Sequence, residues 1–400
     1  MGATCHLQNG CGNMVNLHDY NAVIACVLVL FQNSIMSGST VDPKSVPKGR
    51  GAVSNAAGRF ERLARRYESD GWEAAEDDTA ILRTETRIER PRSVITYNRS
   101  PDLPFDRSIN PYRGCEHGCV YCFARPSHAW LGLSPGLDFE TRLIARPEAP
   151  KVLARELSAR SYRVATIAMG TNTDPYQPIE SEHRVTRGCL EVLEAHGHPV
   201  AIVTKGALIE RDIDILGRMA ARGLARVGIS LTTLDAKLSR SMEPRAPAPA
   251  RRLAVIARLS AAGIPVRVMT SPLVPGLTDH ELERMLEAGR DAGATSASWI
   301  MLRLPREVSE LFQEWLATHV PDRAARVMGH VRDMHGGKTY DAEWGRRMRG
   351  TGPYAHVIAA RFDVARRRLG LEERLPPLRT DLFRVPPRPS DQMELFRTAE

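Results

Sequence analysis

The chain has 400 residues, 42% of them apolar and 26% charged, with a net charge of +8. That length exceeds one ordinary domain and that apolar content can build a sizeable core. A wholly disordered chain, a collagen-like repeat and a polytopic membrane protein are thereby excluded. The basic balance favours polyanionic partners such as DNA or RNA. Seven cysteines, odd in number and unevenly spaced, suit a reducing, cytoplasmic setting with some thiols on metal better than a disulfide scaffold.

Residues 1–35 contain no Lys or Arg but include Cys5, Cys11 and Cys26. Their apolar run from Ala22 to Phe31 is ten residues, about half of a bilayer span. No basic start or small-residue cleavage site marks a secretory signal. A short buried helix or strand would account for the run; we favour a start of translation at Met36, with 1–35 a mis-assigned leader. Residues 36–104 follow as an N-terminal arm and extension. Within them 37–60, rich in Gly, Ser, Pro and basic residues, reads as a flexible arm.

From about residue 105 to 305, short apolar runs alternate with helix-like segments. The expected strands are Ala165–Met169, Ala201–Thr204, Val227–Thr232, Val266–Thr270 and Ser298–Leu302. Helical patterns lie at Arg184–Ala195, Asp212–Ala221, Arg252–Ala262 and Asp279–Ala292. Units of this length build a parallel α/β sheet by right-handed crossovers. A further strand just before residue 113 would make six units, suited to an open barrel or a doubly wound sheet rather than a closed eight-stranded barrel. Residues 306–374 are expected to be a helical, basic extension. Between 323 and 374 twelve Lys and Arg stand against six Asp and Glu, among them Arg346, Arg347, Arg349, Arg366, Arg367 and Arg368. Such a stretch fits nucleic-acid contact and a solvated face equally well. Residues 375–400 form a Pro-rich tail, extended over 375–391.

The chemistry concentrates at Asn110-Pro-Tyr-Arg-Gly-Cys115-Glu-His-Gly-Cys119-Val-Tyr-Cys122-Phe. Three thiols spaced C-x3-C-x2-C, with Gly114 and Gly118 to permit a tight loop, can wrap one soft-metal centre. A structural zinc wants four ligands; His117 is poorly placed between two cysteines, and Cys189 sits in a helical pattern as a small core residue. Three thiolates on a four-iron cluster instead leave one iron open to a small molecule.

This spacing, with aromatic Tyr121 before the last cysteine, resembles the signature of the radical S-adenosylmethionine (SAM) superfamily, over roughly residues 105–305. The resemblance implies a partial (β/α)6 barrel. It implies that Cys115, Cys119 and Cys122 hold a [4Fe-4S] cluster whose fourth iron chelates SAM. Reduction by an electron donor then yields methionine and a 5′-deoxyadenosyl radical. Later segments resemble the spore-photoproduct-lyase-like branch, the DNA repair photolyases. In Gly170–Glu180, Asn172, Thr173 and Asp174 offer acceptors for the SAM ammonium, or else form a turn and cap. Lys205 would meet the SAM carboxylate, or be a surface lysine, and Tyr121 counts among the cofactor contacts. Ser230 would bind ribose or carboxylate, or satisfy a strand-end backbone group. Glu243-Pro-Arg245 and Ser271–Gly276 fall where family loops line nucleoside and substrate, and equally describe turns. Tyr112, Tyr176 and His128 are substrate-pocket candidates or packing residues. One departure stands out: the loop Thr171–Asp174 lacks the cysteine that serves spore photoproduct lyase as hydrogen donor.

Near the C-terminus Gln392-Met-Glu-Leu-Phe396 resembles the peptide by which bacterial repair proteins dock on the sliding clamp, with Gln392, Leu395 and Phe396 as anchors; a terminal helix turn is the alternative. These features favour a radical SAM enzyme acting on nucleic acid, without a membrane. The alternatives are the same chemistry on a protein or small molecule, and a non-enzymatic iron–sulfur carrier with Cys189 as fourth ligand.

Overall fold

The computed structural model describes residues 47–60 and 82–387; the 1–35 leader and the Gln392–Phe396 peptide lie outside them. The described residues form ten short strands. They are β1 (Glu85–Ile88), β2 (Ile95–Tyr97), β3 (Arg107–Ile109), β4 (Tyr112–Arg113), β5 (Arg142–Ala145), β6 (Ile167–Met169), β7 (Val200–Thr204), β8 (Ala225–Ser230), β9 (Val266–Leu273) and β10 (Ser296–Met301). The main sheet has the order β10-β9-β8-β7-β6-β3-β2. Its first six members are parallel, and β2 closes the edge antiparallel to β3. Because β3 and β10 do not pair, the six parallel strands make the expected open, partial barrel, and β3 is the strand expected just before residue 113. A small sheet, β1-β5-β4, stands beside it.

Strand β6 is wholly buried and β8 nearly so, as expected of parallel strands covered on both faces. Crossover helices do the covering: α1 (Ala149–Leu157), α2 (Val185–Ala195), α3 (Ile213–Ala221), α4 (Pro249–Ala261) and α5 (Leu282–Asp291). In α2 the residues Val185, Cys189, Leu190 and Leu193 recur on one face and are buried. Cys189 is thus a core residue, packed in the main core with Leu190 and Leu193. The helix expected from Asp279 begins at Leu282, because Asp279–Glu281 takes a tighter 3-10 turn first.

The C-terminal extension is helical, with α6 (Glu307–His319), α7 (Pro321–Met334) and α8 (Gly352–Arg368). Phe312, Trp315, Leu316, Val327 and Val331 of α6 and α7 build a second core that takes in Val120 and Tyr121 from the cysteine loop. The extension is therefore part of the bed on which that loop rests.

Two expectations need correction or completion. The stretch 47–58 is no free arm: Arg50, Ala52 and Val53 are buried, and the N–H groups of Gly51 and Ala52 donate to the carboxylate of Glu140. Glycine and proline content signalled an irregular path, and the buried acceptors waiting for that path lie about 90 residues on. The chain from Glu372 through the described part of the Pro-rich tail, which includes a turn at Thr380–Phe383, is tied across the N-terminal ends of the strands. The N–H of Glu372 donates to Thr295 O, that of Arg379 to Gly223 O and that of Arg384 to His196 O, each at 2.9 Å. Phe383 then packs on Tyr162, His196 and His198.

His198 is fully buried. Its Nδ1–H donates to Pro199 O at 3.0 Å and its Nε2 accepts from the Tyr162 hydroxyl at 2.7 Å, the pattern of a neutral imidazole. Burial pulls its pKa down to about 4. A neutral histidine held this way contributes fully above the unfolded value of about 6.5, and its contribution is lost as pH falls toward 4. We expect about 3 kcal/mol of stability to be lost across that window. An NMR titration of the His198 ring should place its midpoint near the lower end.

Candidate cluster-binding site

The cysteine loop leaves β4 at the C-terminal end of the barrel, where parallel α/β folds place their sites. Gly114 and Gly118 both adopt left-handed backbone (φ +75° and +69°), as the tight loop requires. Cys115 and Cys119 are buried, Cys122 is half-buried, and all three are free thiols. Short backbone bonds turn the chain from one thiol to the next: Gly118 N–H to Cys115 O at 3.3 Å and Cys122 N–H to Cys119 O at 3.1 Å.

The loop is braced from several sides. Arg125, wholly buried, donates to Cys119 O (2.9 Å), Gly118 O (3.1 Å), Pro135 O (3.1 Å) and Gly136 O (2.9 Å), and pairs with the buried carboxylate of Glu140. Glu140 in turn accepts the N–H groups of Gly51 and Ala52 at 2.9 and 2.8 Å. The arm lies so close that a Cβ on Gly51 would stand 1.7 Å from Gly118 O. From the opposite side Val120 N–H donates to Met242 O at 3.0 Å, and Arg245 N–H to His117 O at 3.3 Å. The Arg245 guanidinium pairs with Glu116 at 2.8 Å. Gln177 bridges Gly114 O and Glu116 N–H at 3.2 and 2.9 Å.

Asp174 connects three strand ends. It accepts from the Thr204 hydroxyl (2.6 Å), Lys205 N–H (2.8 Å) and Tyr176 N–H (2.9 Å), and lies 3.3 Å from His117 Nδ1. Burial works against its charge, but His117 and these donors outweigh burial and hold the carboxyl well below its usual range. Thr173 donates to Tyr112 O at 3.0 Å, and the Asn172 backbone N–H donates to Asn110 Oδ1 at 3.1 Å. Lys205 is half-buried at the end of β7, its ammonium 5.7 Å from the centre of the Tyr121 ring. The Tyr121 hydroxyl donates to Glu243, which also accepts from Thr232 (3.0 Å) and pairs with buried Arg252. Burial pushes the Glu243 carboxyl up, against the pull of Arg252. The Ser230 hydroxyl donates to Ser271 O at 2.8 Å.

The structure thus gathers Tyr121, Asp174 and Lys205 at the cysteine loop, with Asp174 and Tyr121 already bonded within the protein. The three pocket candidates are all buried. Tyr112 is buried and donates to Glu180, Tyr176 lies in the main core, and His128 is buried against Phe139 with its Nε2 2.9 Å from Arg142 O. Sequence reasoning missed Arg125, Glu140, Gly51 and Gln177 as braces. Apart from the Arg125–Glu140 pair, their partners are backbone carbonyls and amides, which no residue pattern announces.

The donor set is chemically suited to an iron–sulfur cluster. Among the described residues no three His, Cys, Asp or Glu are drawn together as ligands of one ion. The loop offers three thiols, one fewer than a four-iron cluster can take. Burial pushes the thiols of Cys115 and Cys119 up.

Comparison with known proteins agrees with the geometry. Residues 109–289 match the radical SAM superfamily, and this stretch is a radical SAM domain. That superfamily comprises enzymes that use a [4Fe-4S] cluster and SAM. An uncharacterised protein of Mycobacterium tuberculosis is 40% identical over 226 residues, 56% of this chain and 66% of the relative, so the chain spans just under two thirds of its length. One from Methanocaldococcus jannaschii is 27% identical over 43% of this chain and 62% of that one. A spore photoproduct lyase complexed with dinucleoside spore photoproduct is 17% identical, with a TM-score of 0.44 over 71% of this chain and 78% of that one. Streptococcus suis SuiB bound to S-adenosylmethionine is 16% identical, with a TM-score of 0.37 over 53% and 48%.

The bracing has a direct consequence. Gly51→Val forces the arm away from Gly118 and is expected to lose most of the iron taken up on anaerobic reconstitution. Ser54→Ala, which removes only a hydrogen bond to Glu314, should keep it. Glu140→Gln, which leaves Arg125 buried and uncompensated, is expected to destabilise the fold by about 3 kcal/mol in chemical denaturation.

Proposed function

We propose that the protein is a radical SAM enzyme that reductively cleaves SAM and acts on nucleic acid, repairing or modifying it. The observation that carries the first half is the loop of three free thiols at the C-terminal end of a six-stranded partial barrel, with no fourth cysteine beside it among the described residues. Cys115, Cys119 and Cys122 would hold the cluster, which when bound supplies the electron, passed on from an external donor, for breaking the C–S bond of SAM.

The protein's own residues have separate tasks. Lys205 presents a cation from the end of β7, and the half-buried Asn172 side chain has no hydrogen bond of its own among the described residues. Both suit the carboxylate and ammonium of an amino acid. Asp174 and Glu243 hold Thr204, Lys205 N–H and Tyr121 in place. The Ser230 hydroxyl donates to Ser271 O, which supports the backbone-satisfying role for it over a ligand contact.

Support for a nucleic-acid substrate is the net charge and the surplus of arginines over 323–374. Not all of these face outward: Arg347 pairs with Asp102 at 2.5 Å, and Arg349 lies 4.4 Å from the centre of the Trp299 ring. Arg367, Arg368 and Arg374 remain exposed. The clamp-like anchors Gln392, Leu395 and Phe396 would bring the enzyme to DNA. Without a cysteine in Thr171–Asp174, and with Cys189 in the core, repair of the spore thymine lesion by the same hydrogen donor is not part of the proposal.

Cys189→Ala is expected to keep the full iron and sulfide content and the electron paramagnetic resonance signal of the reduced protein, whereas Cys122→Ala loses both. Loss of the cluster in Cys189→Ala would favour the four-ligand carrier. DNA and RNA binding should weaken steeply with salt; the absence of any such binding would move the substrate to a protein or small molecule.

A further inference from the structure

Arg303 stands two residues beyond β10, its guanidinium 4.3 Å from the centre of the Phe123 ring. Phe123 follows Cys122 directly and is 45% exposed. Stacking occupies the flat face of a guanidinium and leaves its N–H groups free in the plane. Among the described residues Arg303 makes no hydrogen bond or ion pair.

The groups around it do not neutralise it. Asp102, the acid within electrostatic reach, already accepts from Gly345 N–H at 2.7 Å and from Arg347 Nε at 2.5 Å. Arg347 has the same sign, and Tyr340 and Cys122 are the other ionisable neighbours. A half-buried guanidinium without a partner is unfavourable unless an anion arrives from outside. Its planar fork suits the two oxygens of a phosphate, and the exposed part of the ring beside it suits a nucleobase.

We propose that Arg303 and Phe123 form a nucleotide subsite beside the third cysteine of the loop, with a backbone phosphate on the guanidinium and a base against the ring. This rests on the nucleic-acid reading above and adds the place where the strand would meet the site.

The test uses the full chain, reconstituted anaerobically, and fluorescent single-stranded DNA and RNA oligonucleotides over a salt series. Iron content and SAM affinity are measured in parallel. Arg303→Gln should weaken oligonucleotide binding about tenfold and flatten the salt dependence by about 0.7 in logarithmic slope, with iron and SAM binding unchanged. Arg303→Lys should keep the slope, and Phe123→Leu should weaken binding without altering it. Wild-type binding left unchanged by Arg303→Gln would overturn the subsite while the nucleic-acid reading stands. Loss of SAM affinity instead would assign Arg303 to the cofactor and overturn the subsite. Wild-type protein that binds neither oligonucleotide would overturn both.

Discussion

The buried Arg125–Glu140 pair is the interaction on which the site depends. Three thiols on an eight-residue loop cannot fix their own positions, because a loop this short makes few bonds within itself. Arg125 holds the loop through the carbonyls of Gly118 and Cys119, and Glu140 holds Arg125 and the arm together. With both partners wholly buried, removing either leaves a charge without water or counter-charge. The pair therefore fixes the arm, the loop and the Asp138–Thr141 turn as a unit.

A second layer joins the strand ends to the loop. Asp174 belongs to the segment after β6 and takes its donors from the end of β7, while Glu243 and Arg245 come from beyond β8. Glu243 is buried and Asp174 mostly so, and each is met by hydrogen bonds, so the local charges are set before any cofactor enters. The geometry has a consequence for chemistry. Among the described residues the acids around the loop have partners, whereas the cationic ends of Lys205 and Arg303 have no carboxylate partner, the arrangement expected where anionic groups are to be received.

Short apolar runs revealed five of the six parallel strands, and helical patterns their crossover helices, to within a few residues; the sixth, β3, was expected only as a strand just before residue 113. The three cysteines and two glycines were equally plain, since their spacing has few other uses. Local pattern did not reveal the docked arm. Gly51 looks like any linker glycine, and its need for a missing side chain arises from Gly118, far away in the chain. Polar residues after the strands were ambiguous for the opposite reason. Thr173, Asp174 and Ser230 can serve a ligand or the backbone, and their hydrogen bonds here go first to the backbone and to neighbouring side chains. Lys205, read as either surface or site, turns toward Tyr121.

The central claim is that this loop supports radical chemistry with SAM. Its most direct test is release of 5′-deoxyadenosine by anaerobically reconstituted, chemically reduced protein given SAM, beside Cys119→Ala. Release that disappears in Cys119→Ala is the predicted result. A wild-type protein with its full cluster that releases none, with nucleic acid present or absent, would contradict it.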